Sequence, residues 1–364
     1  MNNPGRQVEI DIAKGIAIIG MIFVHAEEYF YNESIPWAVQ VIEFFGSPPA
    51  APVFMLALGV GIVYSKNNTP SQLAKRGIKM LGLSYLYNFL VYALPHLIVY
   101  FKDGDAEQLP TAIEEFANVD ILQFASLAFL TFALIKKINL QTKPLIVSTL
   151  LVVIIGEWIT DHVVFPEGVI TYVCGLFFGT SGISFFPYCS WIGFPVAGYI
   201  FGQKLSQCYE KKAFYKTLFK IFMPIYFVLL FNSLELVIDF GQVKGDYQLS
   251  YYHMGLYGNI CLISFALWWV GMCYYFSKKF AKWFVDYLKK LSTNITVIYV
   301  VQYAIIVYSY VFIAKETSVL DIADAMFVSV AVFFVSVRIA DKYMEMKRAR
   351  VLKAQKKKIA SEEK

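Results

Sequence analysis

Lys14 and His25 are the residues of this 364-residue chain whose type and spacing first suggest chemistry. They flank ten almost entirely apolar residues, Gly15 to Val24, within the first hydrophobic segment. Ionisable side chains inside a membrane span are costly and mark functional sites when they face protein or a water-filled interior. Eleven helical positions rise about 16 Å and make about three turns, so both side chains project from one face. A neutral imidazole can act as a general base near neutral pH. A buried cation at the other end suits an anionic ligand. Asp11 and Glu28, three residues outside each member of the pair, extend the polar stripe at helical neighbour spacing. Taken singly, Lys14 would snorkel to the headgroups and His25 would sit at the opposite interface; the shared face favours a joint role.

Other candidates fall at helical spacing too. Arg76 and Lys79, with Lys75 beside them, place two cations on one face, a suitable clamp for phosphates. Ordinary charge decoration of a cytoplasmic loop explains them as well, unless Lys14 lies at a similar depth. Asn232, Glu235 and Asp239, and likewise Glu157, Asp161 and His162, could orient a histidine or bind a polar acceptor. Of these, Glu235 is the carboxylate expected to orient His25. His96 and His253 read as structural. Asn294 and Gln302 are unusual polar residues for an apolar segment, and the small residues after Pro48 suit close helix packing.

The elements that position these residues follow from hydropathy. With 58% hydrophobic, 17% aromatic and 16% charged residues, the composition is that of a polytopic all-α membrane protein. Apolar windows long enough for the hydrocarbon core cover about ten segments: 10–29, 48–65, 77–100, 119–135, 144–160, 186–203, 214–238, 254–276, 291–314 and 319–339. The stretch 163–180 is apolar but broken by Pro166, Gly168, Gly175 and Gly179, so it reads as an eleventh span or as a re-entrant or outer-surface segment. Charge favours ten. Lys and Arg concentrate in alternate loops (66–79, 136–143, 204–216, 278–290) and in the 341–364 tail, while the other loops offer Lys102, Lys244 and Lys315. Cytoplasmic loops carry the excess of cations, which puts both termini inside.

The net charge of +5 is thus a matter of topology and membrane lipid contact, with no reason to expect nucleic acid. No small-residue cleavage site follows the first apolar stretch, so a removable signal peptide is not expected. Five cysteines show neither Cys-x-x-Cys nor histidine-paired spacing, which argues against metal and redox chemistry; Cys174 and Cys189 could share an oxidising face. One membrane domain, 1–340, is expected, followed by a basic cytoplasmic tail, 341–364. An oligomer is compatible with the sequence.

The segment Asp11 to His25 resembles the first helix of membrane-bound acyltransferase family 3, whose signature is Arg-x10-His, with Lys14 in the place of the arginine. Arg76-Gly-Ile-Lys79 is similar to that family's Arg-x-x-Arg, and Asn294 to Gln302 to its late Asn-Ser-x-x-Ile-Tyr-x-x-His helix, with Gln302 in the place of the histidine. The stretches Pro48 to Lys66 and Phe185 to Pro195 look like the related heparan-α-glucosaminide N-acetyltransferase branch. That branch has a histidine in the first outer loop; this chain has none between Tyr29 and Ser47, which leaves His25 to take the role.

The resemblance implies transfer of an acyl group, commonly acetyl, from cytosolic acyl-CoA to a carbohydrate or lipid-linked glycan at the opposite face of the cell membrane. Lys14, Arg76 and Lys79 would hold the CoA phosphates, and His25 would serve as general base or transient acyl carrier with Glu235 orienting it. Many-helix bundles with intramembrane charges also suit a glycan transporter or flippase. The absence of an evident inverted repeat counts against that alternative.

Overall fold

The computed structural model describes residues 2–31, 36–166, 168–236, 251–314 and 320–362. Asp239, Lys244 and Lys315 lie outside them. The described residues are helical, with isolated bridges but no strand. In chain order the helices are α1 (Val8–Phe30), α2 (Pro36–Gly46), α3 (Ala51–Tyr64), α4 (Pro70–Asn88), α5 (Leu94–Asp103), α6 (Gln108–Ala117), α7 (Ile121–Lys137), α8 (Thr142–His162), α9 (Val169–Gly175), α10 (Tyr188–Trp191), α11 (Gly193–Gln207), α12 (Lys211–Glu235), α13 (Leu256–Phe276), α14 (Lys282–Ser309) and α15 (Ile322–Glu362). Wider π-turns join α4 to α5 and extend α14 to Ala314. One helix, α15, carries the chain across position 340 into the basic tail.

Among the described residues seven helical runs, with α2 and α3 taken as one and α4 and α5 as another, are long and apolar enough to cross a membrane. Each of the ten apolar segments overlaps a helix, and three fall short of that criterion for different reasons. Helices α7 and α11 have 17 and 15 residues. Helix α1 has 23 but carries Glu9, Asp11, Lys14, Glu27 and Glu28. The ambiguous stretch 163–180 is no span: it holds only the seven-residue α9 between irregular turns. The turns that follow it are tied to the residue before the α7 cap, where Val119 N–H donates to the Ile183 carbonyl at 2.9 Å.

Helix α1 tolerates its charges because it lies inside the bundle, against α2, α13, α14 and α15. Ile12, Ala13, Ala17, Ile18, Ile22 and Ala26 are wholly buried. Helices α8 and α12 instead turn apolar faces outward, with Ile155, Trp158, Val228 and Phe231 exposed, as lipid-facing surfaces require. Lys14 meets Ser292 and His25 meets Gln302, so α1 and α14 run in the same direction.

Two apolar cores form. One surrounds α1, α13, α14 and α15, and the other joins α3, α7, α11 and α13. Within the second, α3 and α11 cross at reciprocal glycines. A Cβ on Gly59 would strike the Pro195 carbonyl, and one on Gly198 the Leu56 carbonyl. Small residues let helix backbones approach where hydrocarbon gives no other drive for association.

Candidate active site

His25 lies on α1 five residues before its end, facing α14. Gln302 Nε2 is 2.8 Å from His25 Nδ1, and the Tyr303 ring packs on the imidazole at a centroid distance of 4.2 Å. These two neighbours fix the ring's position from one side. On the other side is a chamber of about 250 Å³ lined by His25, Glu28, Tyr29, Tyr92, Asn118, Asp120, Tyr252 and Tyr303, with Gly182, Phe185 and Phe186 supplied by the irregular stretch after α9.

Two carboxylates share the chamber with His25. Glu28 is one turn further along α1 and hydrogen-bonds Tyr252. Asp120 is the N-cap of α7 and divides its two oxygens between two tasks. Its Oδ1 accepts from Ile121 N–H at 2.6 Å within a capping box completed by Gln123, which a helix start in a buried place requires. Its Oδ2 accepts from the Tyr299 hydroxyl and, at 3.5 Å, from that of Tyr92. Tyr252 is held in place by Trp191, whose indole N–H donates to the Tyr252 carbonyl at 2.8 Å.

A file of cavities leads away from this chamber along the seam between the two cores. A neck of about 40 Å³ shares His25, Glu28 and Asp120 with the chamber. The next cavity, about 130 Å³, shares Met21, Phe54, Ile121 and Tyr299 with the neck. It in turn shares Leu122 and Thr296 with a groove of about 530 Å³, along which Arg76, Lys79, Leu83, Tyr87, Leu90 and Val300 are arranged. Arg76 is steadied by the Phe129 ring, 4.2 Å from its guanidinium carbon. Helix α4 begins about two turns earlier, at the capping box of Thr69 and Gln72 with Pro70 at its first position.

The expected residues are therefore partly brought together. Arg76 and Lys79 share the groove, and His25 occupies the far end of the file. Lys14 is at the level of the groove, one turn of α14 before Thr296, but it points elsewhere. Its ammonium donates to the Ser292 carbonyl at 3.3 Å, beside Asp11, which accepts from Ser292 Oγ at 2.7 Å and pairs with Arg6. Lys14 lines none of the cavities described above. Glu235 is exposed at the end of α12 and away from the chamber's lining residues, where Glu28 and Asp120 are the carboxylates. Glu157 accepts from the Leu256 N–H at 3.0 Å and so caps α13, and His162 stacks on Trp158 at the surface. His96 binds Gln108 at 2.7 Å, and His253 binds the Ser184 carbonyl at 2.7 Å, both structural contacts.

Asp120, Tyr252 and Tyr299 escape the sequence reading. The pattern Asp120-x-x-Gln123 before an apolar run signals a helix start, and nothing local says that the second oxygen is free for a ligand chamber. All five cysteines are free. Among the described residues no group of three or more His, Cys, Asp or Glu side chains could hold a metal ion.

A buried histidine with two carboxylates is joined by a file of cavities to a basic groove, in an all-helical bundle of the multipass membrane class. The sequence description "Heparan-alpha-glucosaminide N-acetyltransferase, catalytic" matches residues 6–228, more than half of the chain, and the chain belongs to this family. It is thus a membrane acetyltransferase in general class. The matched region holds Lys14, His25, Arg76, Lys79 and Asp120, whereas Tyr299, Gln302 and Tyr303 come from beyond it. No curated protein matches the chain.

Proposed function

We propose that this protein moves an acetyl group from cytosolic acetyl-CoA to a hydroxyl or amine of a glycan or lipid-linked sugar at the extracytoplasmic face of the cell membrane. The observation that carries the reading is the file of four cavities with shared walls, running from Arg76 and Lys79 to His25. A donor with phosphates at one end and a thioester at the other fits such a path. Ten spans with both termini in the cytosol put the basic end inside, under the positive-inside rule. The common direction of α1 and α14, the first and ninth spans of that arrangement, is what it requires.

In this reading Arg76 and Lys79 take the CoA phosphates, and Lys14, neutralised in part by Asp11, adds positive potential at the same depth. The pantetheine arm lies in the apolar cavity between Met21, Phe54 and Tyr299, which excludes water that would hydrolyse the thioester. The acceptor occupies the chamber, its hydroxyls donating to Glu28 and Asp120. His25 Nε2 removes the proton of the attacking group as that group bonds to the thioester carbon, and the departing CoA sulfur takes the proton back.

Release of free thiol from acetyl-CoA by protein-containing membranes supplied with candidate glycans tests this directly. His25→Ala should lower the rate by about 10²- to 10⁴-fold. Thiol release as fast as wild type in that variant would overturn the mechanism.

A further inference from the structure

Gln302 is fully buried, and the two ends of its carboxamide are in opposite situations. Nε2 lies 2.8 Å from His25 Nδ1, while Oε1 is buried with no hydrogen-bond partner. An amide nitrogen only donates and an amide oxygen only accepts. This contact therefore needs an unprotonated Nδ1, and a neutral ring then carries its proton on Nε2. In that tautomer Nε2 has no lone pair to offer and cannot act as a base. Half a turn about the last side-chain bond of Gln302 exchanges the two ends in the same volume. Oε1 then accepts from Nδ1–H, and Nε2 becomes the proton acceptor. Tyr303, the next residue on α14, packs on the ring at a centroid distance of 4.2 Å.

We infer that Gln302 is a positioning residue that selects the reactive tautomer of His25, accepting from Nδ1–H through Oε1 while Nε2 does the proton transfer. The inference rests on His25 acting as the general base proposed above. The balance closes with this one contact. Nε2 takes the proton of the acceptor O–H or N–H as the new bond to the thioester carbon forms. The C–S bond breaks as the tetrahedral intermediate collapses, and the thiolate takes that proton from Nε2. Throughout the imidazolium stage Nδ1–H keeps Oε1 as its acceptor, so the orphaned oxygen is the one that the reaction uses. The titratable groups facing the same space are Glu28 and Tyr29 from α1, Asp120 at the head of α7, Tyr92, Tyr251, Tyr252 and, from α14, Tyr299 and Tyr303. Among the described residues the hydrogen bond to the His25 ring comes from Gln302.

The test reads the tautomer and the rate separately. Long-range ¹⁵N–¹H spectra of histidine-labelled full-length protein in nanodiscs with CoA bound, with the His25→Gln spectrum subtracted, report the protonated nitrogen of His25. Wild type should show Nδ1–H. Gln302→Leu should give a mixture of tautomers and a thiol-release kcat about 10- to 100-fold lower, with KM for acetyl-CoA within about twofold. Gln302→Glu, whose ionised carboxylate accepts from Nδ1–H, should keep the wild-type signature and recover most of the rate. An unchanged tautomer and kcat in Gln302→Leu would overturn the inference, as would a Gln302→Glu variant as slow as the leucine one. If the leucine variant does not fold, Gln302→Glu decides alone: retained Nδ1–H with activity supports the role, and Nε2–H refutes it. No thiol release by the wild type would remove the acyl-transfer reading and the reactive role with it, whereas Nε2–H in an active wild type would overturn the inference alone.

Discussion

Gln302 Nε2 and His25 Nδ1 stand 2.8 Å apart across the seam between α14 and α1, although 277 residues separate them in the chain. Lys14 and Ser292 make a second tie between the same helices at 3.3 Å. The intervals match: eleven positions on α1 rise about 16 Å and ten on α14 about 15 Å. These ties at equal heights, joined at the Lys14 end by Ser292 Oγ donating to Asp11, set the register of the helix pair. The spacing of Lys14 and His25 is thus met by an equivalent spacing on the helix that faces them.

Arg76 and Lys79 should govern donor affinity, whereas Lys14 should govern packing. Arg76→Ala or Lys79→Ala is expected to raise KM for acetyl-CoA about tenfold each, the scale of one charge-assisted hydrogen bond. The penalty should shrink as salt is added, because both side chains are exposed. Lys14→Met should leave KM within about threefold and lower the melting temperature in detergent. Initial-rate kinetics over a range of salt, with a thermal melt for each variant, separate the two roles.

Thr296 lies on the wall shared by the basic groove and the apolar cavity beyond it. Its side chain faces open space, so a larger one can be accommodated without disturbing the core. Thr296→Trp should block the path and reduce thiol release by more than about tenfold, with melting unchanged. A freely active Thr296→Trp enzyme would place the donor route elsewhere.

Asp120 has two tasks that substitution can split. Asparagine caps helices about as well as aspartate, whereas alanine loses about 0.5–2 kcal/mol at this position. Asp120→Asn should therefore melt near wild type and Asp120→Ala several degrees lower. One amide oxygen cannot both cap α7 and accept from Tyr299, so both variants should be slower by about tenfold or more. Equal melting of the two variants would contradict the cap, and wild-type rates would contradict the role in the chamber.

Gly59 and Gly61 make a paired test of the α3–α11 crossing. A Cβ on Gly59 would meet the backbone of α11, whereas one on Gly61 meets open space. Gly59→Ala should cost about 1–3 kcal/mol by forcing the helices apart. Gly61→Ala should be neutral or slightly stabilising, since alanine is the better helix former. Parallel melts in one detergent suffice.

The helical segments and the polar stripe of α1 are legible in the sequence because each depends on composition and spacing within one segment. Gln302 also stands out, as an amide amid apolar neighbours. The carboxylates are harder. Glu235 follows an apolar segment much as Glu28 follows His25, yet only the packing of α12 toward the outside decides that Glu235 is exposed. Asp120 carries a local signal that accounts for one of its oxygens and hides the other. The stretch 163–180 has enough apolar residues for a span, but Pro166 and its glycines break the helix, and the turns after it bond to Val119, a distant residue just before α7. Lys14 pairs with a backbone carbonyl, a partner that no sequence pattern announces.

The burial of α1 bears on how the protein is made. Five acidic or lysine residues in a first helix oppose its entry into lipid, because a central Asp or Lys costs about 2.5–3.5 kcal/mol in membrane insertion. The groups that compensate for Lys14 and His25, the Ser292 carbonyl and the Gln302 amide, emerge almost three hundred residues later in synthesis. The first helix therefore waits at the edge of the assembling bundle, and the site closes only when nearly the whole chain is present. A truncated chain that ends before α14 would lack one wall of the neck and the hydrogen-bond partner of His25.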